Sequence, residues 1–293
     1  SKQLPAEDRW GLENDVYALV RKGDVLLSDY LAFLNHYRNE DAFLPLAGIN
    51  DNLFHAYLVM NEPFRDHIAA QAKRIFKNVF ERMGYSPAAD EPHALSMLRD
   101  QLIWTAALFG DPETLAFAGD AFRRLRSGGK VHPDILKSTL QVGAYTGNAD
   151  VFDWLDQRFR QAVSEHERQN ILIAMGCFQD RSLIDKAGAY VLENVPDRNR
   201  FIPISSMAAN PAATPGMWEW YVSHTEKLEQ SHPLLYERVI AAIVPVCGMG
   251  KVDAIKKFFS RYTQEKPMLR DVVRISLEKL DINSRMVALN RPR

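Results

Sequence analysis

The spacing of apolar side chains constrains the fold of this chain more than any other feature of its sequence. Large apolar residues recur three, four or seven positions apart, as in the set Ile68, Ile75, Phe76, Val79 and Phe80. This spacing places them on one face of an α-helix, whereas a half-buried strand needs alternating apolar and polar residues. The sequence contains no convincing alternating stretch. We therefore expect an all-α fold of roughly fourteen helices, separated by capping residues, glycine and proline.

Helix-start signals return at regular intervals after about residue 110. Asp111, Asn148, Asp180, Thr214 and Gly250 each open a predicted helix, at separations of 37, 32, 34 and 36 residues. Known helical-pair repeats have periods of roughly 33 to 47 residues. One helical pair cannot bury its apolar face alone, so neighbouring pairs stack into a curved core with a concave surface. The spacing predicts a HEAT/armadillo-like helical-pair solenoid, an α-α superhelix.

Four prolines interrupt the helical pattern in the segment 194–216, at positions 196, 203, 211 and 215. Because proline is excluded from helix interiors, we expect a short helix near residues 204–209 with loops on both sides. The segment lacks the Gly/Ser composition of a flexible linker. We predict a single domain over residues 1–293 with an irregular joint at 194–216.

The charge balance argues against a nucleic-acid partner. The 36 Lys and Arg residues nearly cancel the 37 Asp and Glu residues, which gives a formal net charge of -1. No run of five or six like charges forms a basic patch for DNA, RNA or anionic lipid.

The two cysteines and the apolar runs indicate the compartment. Cys177 and Cys247 lie far apart in apolar helical surroundings, which favours buried free thiols in the reducing cytoplasm over a disulfide. The longest apolar run, 239–247, is about half of the ~20 residues that span a bilayer, so we expect no membrane partner. Residues 1–8 include neither an initiator Met nor a signal region, so we expect the chain to begin inside a longer protein.

The nearest approach to a catalytic motif is the pentapeptide His166-Glu167-Arg168-Gln169-Asn170. A zincin requires a second histidine where Asn170 stands, so that two imidazoles project from one helical face. We interpret the segment as a capping box, with Ser164 as the N-cap and Glu167 three residues later. The remaining histidines have no paired spacing, and no nucleophile or phosphate-binding motif occurs. We predict no catalytic, cofactor-binding or metal-binding residue in this chain.

Four short segments spread over nearly the whole chain carry a further pattern. At the N-terminus, Arg9 is followed by Leu12 and Asp15 before an apolar helix. The other segments are Leu98-Arg99, then Asn210-Pro211 followed by Trp218 and Leu228, and finally Leu277-Glu278 with Ile282-Asn283. In this order they resemble the C-terminal helical domain of the M1 zinc aminopeptidases, the family that includes the antigen-trimming enzymes of the endoplasmic reticulum.

This resemblance implies a non-catalytic domain that covers the active site and gates peptide access in a full-length aminopeptidase. The two defining motifs of the family, Gly-Ala-Met-Glu-Asn and H-E-x-x-H, are absent from this chain. The resemblance thus places the zinc and the catalytic domain elsewhere in the same polypeptide. It implies two partners for this chain, namely the catalytic domain and a peptide substrate. Whether the chain counts as an enzyme is left open by the sequence.

Four residues are candidates for contact with substrate or with the catalytic domain: Arg9, Asp15, Tyr57 and Arg99. Some family members place a basic residue after the tyrosine, where this chain has Leu58. A structural interpretation stays open beside this one: Arg9 and Asp15 form an ion pair on a helix surface, and Arg99 binds the C-terminal carbonyls of a neighbouring helix.

A second function of a different class also stays open. A free-standing helical-repeat scaffold would bind a protein or peptide in its groove without any enzymatic parent. An H-E-x-x-H motif upstream of residue 1 in the native reading frame favours the aminopeptidase domain, and a start codon favours the scaffold.

Overall fold

The computed structural model describes residues 3–290, and this part of the chain is entirely helical. It contains sixteen α-helices and four short 3-10 helices, with no strand among the described residues. The first eight are α1 (Ala6–Lys22), α2 (Leu27–Phe33), α3 (Phe43–Val59), α4 (Phe64–Met83), α5 (His93–Leu108), α6 (Pro112–Arg126), α7 (Leu136–Tyr145) and α8 (Ala149–Gln161). The other eight are α9 (Glu165–Met175), α10 (Arg181–Asn194), α11 (Phe201–Ala208), α12 (Thr214–Ser223), α13 (Thr225–Leu228), α14 (Pro233–Cys247), α15 (Val252–Glu265) and α16 (Arg270–Leu289). The predicted all-α fold is confirmed.

The described residues divide into two compact units. The first contains the chain up to residue 142 and the part from residue 285 onward, and the second contains residues 143–284. The proline-rich segment 194–216 lies inside the second unit. No described helix combines the length and the apolar character that crossing a bilayer requires.

In the first unit, the helices form two rows. One row consists of α1, α3 and α5, which pack side by side, and α4 packs against both α3 and α5. The second row contains α2 and α4, which are joined by a polar contact. Gln71 Nε2 of α4 lies 3.4 Å from Oδ1 of Asn35, a residue that follows α2. Asp100 of α5 accepts the backbone N–H of Ser138 at 2.9 Å, and this bond caps the start of α7 from a neighbouring helix.

In the second unit, the same arrangement recurs. The helices α9, α11 and α14 pack in sequence to form one row. In the other row, Lys186 of α10 binds Asp153 of α8 at 2.7 Å, and Lys251 at the start of α15 binds Glu219 of α12 at the same distance. The side chain of Asn210 donates to the carbonyls of Gly176 and Phe178, so the end of α9 is held to the loop after α11.

The contacts between neighbouring helical pairs follow the spacing predicted from the sequence. The Lys186–Asp153 bond joins residues 33 apart, and a bond from Asn283 Nδ2 to the carbonyl of Pro245 joins residues 38 apart. Each separation corresponds to about one helical pair, as expected for stacked repeats. Within each unit, the packing is therefore consistent with an all-α helical-repeat domain.

Three of the five predicted helix starts have the expected side-chain cap. Asp111, Asn148 and Asp180 accept backbone N–H groups in the first turns of α6, α8 and α10. Thr214 is instead the first residue of α12, and Gly250 precedes the N-cap Lys251 of α15.

The helix in the proline-rich segment begins earlier than expected. We predicted a helix near residues 204–209, and α11 spans Phe201–Ala208 with Pro203 in its first turn. The N–H groups of the first turn have no acceptor within the helix, so a proline there breaks no helical hydrogen bond. The helix therefore includes Pro203, which we had expected to lie in the loop before it.

Candidate functional site

Arg9 joins α1 to the segment between α2 and α3. Its Nε lies 2.7 Å from Glu40 Oε2 and its Nη2 lies 2.8 Å from Glu40 Oε1, a bidentate ion pair. Glu40 is buried and also accepts the backbone N–H groups of Asp41 and Ala42. Burial alone would raise the pKa of Glu40, but the bonds from Arg9 and the two amides lower it overall. The pair therefore acts as a clamp between two segments of the first unit.

Asp15 lies on the exposed side of α1. Among the described residues, no ion pair or hydrogen bond includes its carboxylate. Arg9 is already bound to Glu40, so the structural alternative of an Arg9–Asp15 ion pair is not the arrangement observed. Asp15 thus presents a free negative charge to solvent.

Tyr57 of α3 is half-buried between an aromatic ring and a cation. Its ring centroid is 4.6 Å from that of Phe109, and the guanidinium carbon of Arg65 lies 5.4 Å from the Tyr57 centroid. Arg65 Nε also donates to the carbonyl of Tyr57 at 2.9 Å. Burial raises the pKa of the Tyr57 hydroxyl. A basic group therefore lies beside Tyr57 although Leu58 follows it in sequence.

Sequence reasoning did not identify Arg65. Arg65 is the second residue of α4, and it reaches Tyr57 because α3 and α4 are consecutive helices that pack against each other. The available signal was a cation eight residues after the tyrosine, just beyond Pro63.

Arg99 of α5 is completely buried. Its guanidinium binds both carboxylate oxygens of Glu91 and donates to the carbonyls of Met83 and Gly84 at 3.1 Å each. The hydrogen bond from Arg99 is the largest of the effects that lower the pKa of Glu91 to about 2. Arg99 therefore satisfies the C-terminal carbonyls of α4, which is the structural alternative for this residue.

The four predicted residues occupy separate places in the first unit. Arg9 and Asp15 share α1, while Tyr57 and Arg99 lie on α3 and α5. Within residues 3–290, no hydrogen bond or ion pair joins any two of them. Their contact with peptide or with another domain stays a prediction, and the burial of Arg99 favours its structural interpretation.

A surface groove of about 450 Å³ lies next to Arg9. Its lining combines apolar side chains with the Arg9–Glu40 pair, and it includes Leu4, Leu12, Phe33 and Tyr37. The Tyr37 hydroxyl donates to the carbonyl of Arg9 at 2.7 Å, so the wall of the groove is fixed to α1. This groove was not predicted from the sequence.

The pentapeptide beginning at His166 has no metal-site geometry. Asn170, in the place of the second zincin histidine, is buried with its Nδ2 3.2 Å from His166 Nε2. Ser164 caps α9 as predicted by accepting the N–H of Glu167 at 3.4 Å. The carboxylate of Glu167 binds Arg158 at 2.6 Å. Over the described part of the chain, no group of three or more His, Cys, Asp or Glu residues is placed to hold a metal ion.

Comparison with known proteins gives one family. Residues 1–282 match the family model described as ERAP1-like C-terminal domain. The relatives include Aminopeptidase 2 of Candida albicans, 26% identical over 77% of this chain and 25% of the relative. The Leucyl aminopeptidase of Saccharolobus solfataricus is 22% identical over 98% of this chain and 35% of the relative. The Puromycin-sensitive aminopeptidase of Caenorhabditis elegans is 24% identical over 99% of this chain and 32% of the relative.

These matches cover most of this chain but only a quarter to about a third of each relative. The family match covers nearly the whole chain, and the entirely helical structure of residues 3–290 agrees with it. The chain belongs to the family of ERAP1-like C-terminal domains, which are the C-terminal domains of M1 aminopeptidases.

Proposed function

We propose that this chain is the non-catalytic C-terminal domain of an M1 zinc aminopeptidase, where it covers the active site and gates the entry of peptides. The family match over residues 1–282 is the observation that carries the proposal. The names of the relatives supply the activity, and their greater length leaves room for a separate catalytic part.

The residues of the chain suit a cover better than a reaction centre. Its His, Cys, Asp and Glu side chains form no metal-binding group in the described range, so we assign the zinc and its chemistry to the catalytic part. Stacked helical pairs form a stiff wall, and such a wall can exclude water and bulky chains from a site that it covers. Cys177 and Cys247 are buried and form no disulfide within the described residues, which suits a reducing compartment such as the cytoplasm.

For peptide contact, Tyr57 is the strongest of the four candidates. Arg65 places a cation on its ring, and the guanidinium offers N–H groups to a carboxylate. Arg9 and Asp15 lie on the first helix and suit a contact with the catalytic part. Arg99 stabilises the domain from inside.

The test compares the zinc-bearing catalytic part with and without this chain. We expect addition of the chain to leave hydrolysis of a small aminoacyl amide within about threefold. We expect it to lower the cleavage of N-terminal residues from folded proteins by about tenfold or more, because a cover excludes bulky substrates. Unchanged cleavage of both substrates, with the two parts shown to be bound, would contradict the gating role.

The purified chain alone distinguishes the remaining alternatives. We expect it to bind no stoichiometric zinc and to hydrolyse no aminoacyl amide. If its native reading frame starts at this domain and no zinc-bearing partner binds it, the scaffold function replaces the aminopeptidase domain.

A further inference from the structure

Within the described residues, the first helix has an apolar face that is partly exposed. Leu12 and Leu19 of α1 are 45% and 40% exposed, and Val16 between them is partly exposed. Spacings of four and three residues place these side chains on one side of the helix. A neighbouring side of the helix is buried against the rest of the first unit through Tyr17 and Val20. We call the set of Leu12, Asp15, Val16 and Leu19 the outer face of α1.

This face continues into the groove beside Arg9. Leu12 belongs to both, and Leu4, which lines the groove, is 46% exposed. Exposed large apolar side chains are concentrated in this region. Of thirteen such residues in the described range, five occur in the first 26 positions: Leu4, Trp10, Leu12, Leu19 and Leu26. An apolar area of this kind with polar surroundings is typical of an interaction surface.

The charge of the outer face defines the chemistry of its partner. Among residues 3–290, Asp15 is exposed with no bound cation, and two of the cations of α1 bind other carboxylates. Arg9 binds Glu40, and Lys22 binds Asp24 at 2.6 Å. The face therefore presents leucine side chains beside an unpaired carboxylate. The complementary surface is apolar and contains a Lys or Arg side chain opposite Asp15.

The aminopeptidase relatives indicate the occupant. They extend well beyond the part matched by this chain, and the match is to a C-terminal domain, so their additional residues precede it. The outer face lies on the first helix of the matched region, the helix that would follow those additional residues most closely in sequence. We propose that the outer face of α1 and the adjoining groove dock the zinc-bearing part of the aminopeptidase, with Asp15 paired to a basic residue of that part. This inference rests on the proposed function.

The experiment measures binding of the full chain to the zinc-bearing part of the aminopeptidase from the same organism. That part is prepared as a separate polypeptide, and its zinc content and hydrolysis of an aminoacyl amide verify that it is folded. We expect the double variant Leu12→Asp with Leu19→Asp to raise the Kd by tenfold or more, since it removes two apolar anchors. We expect Asp15→Lys to raise the Kd by about fivefold or more, and to reduce the dependence of binding on salt.

The control is the double variant Met97→Asp with Leu234→Asp. These side chains are 46% and 63% exposed on α5 and α14, and we expect the Kd to stay within about twofold. Circular dichroism and the melting temperature check the folding of each variant. All substituted positions are exposed, so we expect the variants to fold.

The outcomes separate the two proposals. If the wild-type chain binds and the α1 variants bind equally well, the docking surface is wrong while the proposed function stands. An equal loss of binding in the control variant also overturns the docking surface, because the contact is then non-specific. If the wild-type chain forms dimers that Leu12→Asp with Leu19→Asp abolishes, the occupant is a second copy. No binding of the wild-type chain to an active, zinc-loaded catalytic part overturns both proposals.

Discussion

Arg99 is the largest side chain that the first unit buries completely, and its burial depends on Glu91. A guanidinium in a protein interior is stable only when its charge and its N–H groups have partners. Glu91 supplies the charge, and the carbonyls of Met83 and Gly84 accept further hydrogen bonds. Arg99 therefore joins the end of α4 to α5. The sequence identified Arg99 as a position of interest, but its partner eight residues earlier was not apparent.

Replacement of Glu91 tests this joint. We expect Glu91→Gln to lower the free energy of unfolding by about 3–5 kcal/mol, because it leaves a buried guanidinium without its counter-charge. The matched control is Glu81→Gln, since Glu81 forms an exposed ion pair with Lys77 at 4.0 Å. That control should change the same quantity by less than ~0.5 kcal/mol. Urea denaturation measures both, and equal effects of the two substitutions would contradict the structural role of Arg99.

We expect the contribution of Glu13 to the stability of the chain to fall as the pH rises. A carboxylate in an ion pair has the opposite effect. It is completely buried in α1, where it accepts hydrogen bonds from the Tyr30 hydroxyl and the Asn52 amide. Burial raises the pKa of Glu13, and the two hydrogen bonds only partly offset this effect. The folded chain thus retains the Glu13 proton at pH values where the unfolded chain, with a pKa of about 4.3, has lost it. Stability due to Glu13 therefore falls as the pH rises from about 4.3 through the higher folded pKa.

The variant Glu13→Gln isolates this contribution. Glutamine has similar shape and can still accept a bond from Tyr30, but it does not ionise. We expect the stability of the wild-type chain relative to Glu13→Gln to decrease from about pH 4 through the folded pKa of Glu13, and to stay constant above that pKa. Urea denaturation at a series of pH values measures the difference. A difference that is constant with pH, or that increases with pH, would show that the interior stabilises the ionised carboxylate.

At the scale of helices, we expect alanine substitutions at two glycines in helix interiors to change the stability of the chain in opposite directions. A methyl group on Gly48 of α3 would lie 2.9 Å from Trp10 Cδ1 and 3.0 Å from Glu13 Oε2, so this glycine allows α1 and α3 to approach closely. We expect Gly48→Ala to lower the free energy of unfolding by about 1–3 kcal/mol through overpacking. Gly119 of α6 has only Arg123 Nη1 within reach, at 3.6 Å, so Gly119→Ala should stabilise the chain by ~0.5–1 kcal/mol. Thermal and urea denaturation compare the two, and stabilisation by Gly48→Ala would contradict the close approach.

Local features of the helices were predictable, while features that depend on packing were not. Asp111, Asn148 and Asp180 act as N-caps through bonds to residues two or three positions later, so the sequence contains all the information needed. In a capping box, the Glu167 side chain would bind the backbone N–H of Ser164, the N-cap of α9. Its carboxylate instead binds Arg158 of α8. The choice between those partners depends on how α8 and α9 pack, and no local pattern encodes it.

At the scale of the molecule, the sequence predicted the helical fold and the repeat spacing but not the two units or the groove. The boundary at residue 142 falls inside α7, which has no break in its sequence pattern. The groove combines Leu12 of α1 with Phe33 and Tyr37, which follow Leu12 by 21 and 25 residues in sequence. Such a surface arises only when the helices pack, so apolar periodicity cannot reveal it. Asp15 binds no cation among residues 3–290, so the binding experiment is needed to test its proposed role.

The two cysteines provide a measure of how the second unit opens as a whole. Both thiols are buried, and burial raises the pKa of Cys247 to about 12. They contact the same helix, since Cys177 Sγ lies 3.4 Å from Ser206 Oγ and Cys247 Sγ lies 3.7 Å from the carbonyl of Ala208. A disulfide reagent needs an exposed thiolate, so neither thiol should react until α11 separates from its neighbours.

We therefore expect both thiols to react slowly with Ellman's reagent and at similar rates, because displacement of α11 exposes both. The single variants Cys177→Ala and Cys247→Ala assign the rates. The control is Val163→Cys in a variant lacking both native cysteines, because residue 163 is 92% exposed and its thiol should react at once. A much faster reaction of either Cys177 or Cys247 would show that the helical pairs on the two sides of α11 open separately. Similar rates that increase together with urea would show that the second unit opens cooperatively around α11, since both thiols then depend on one helix leaving its place.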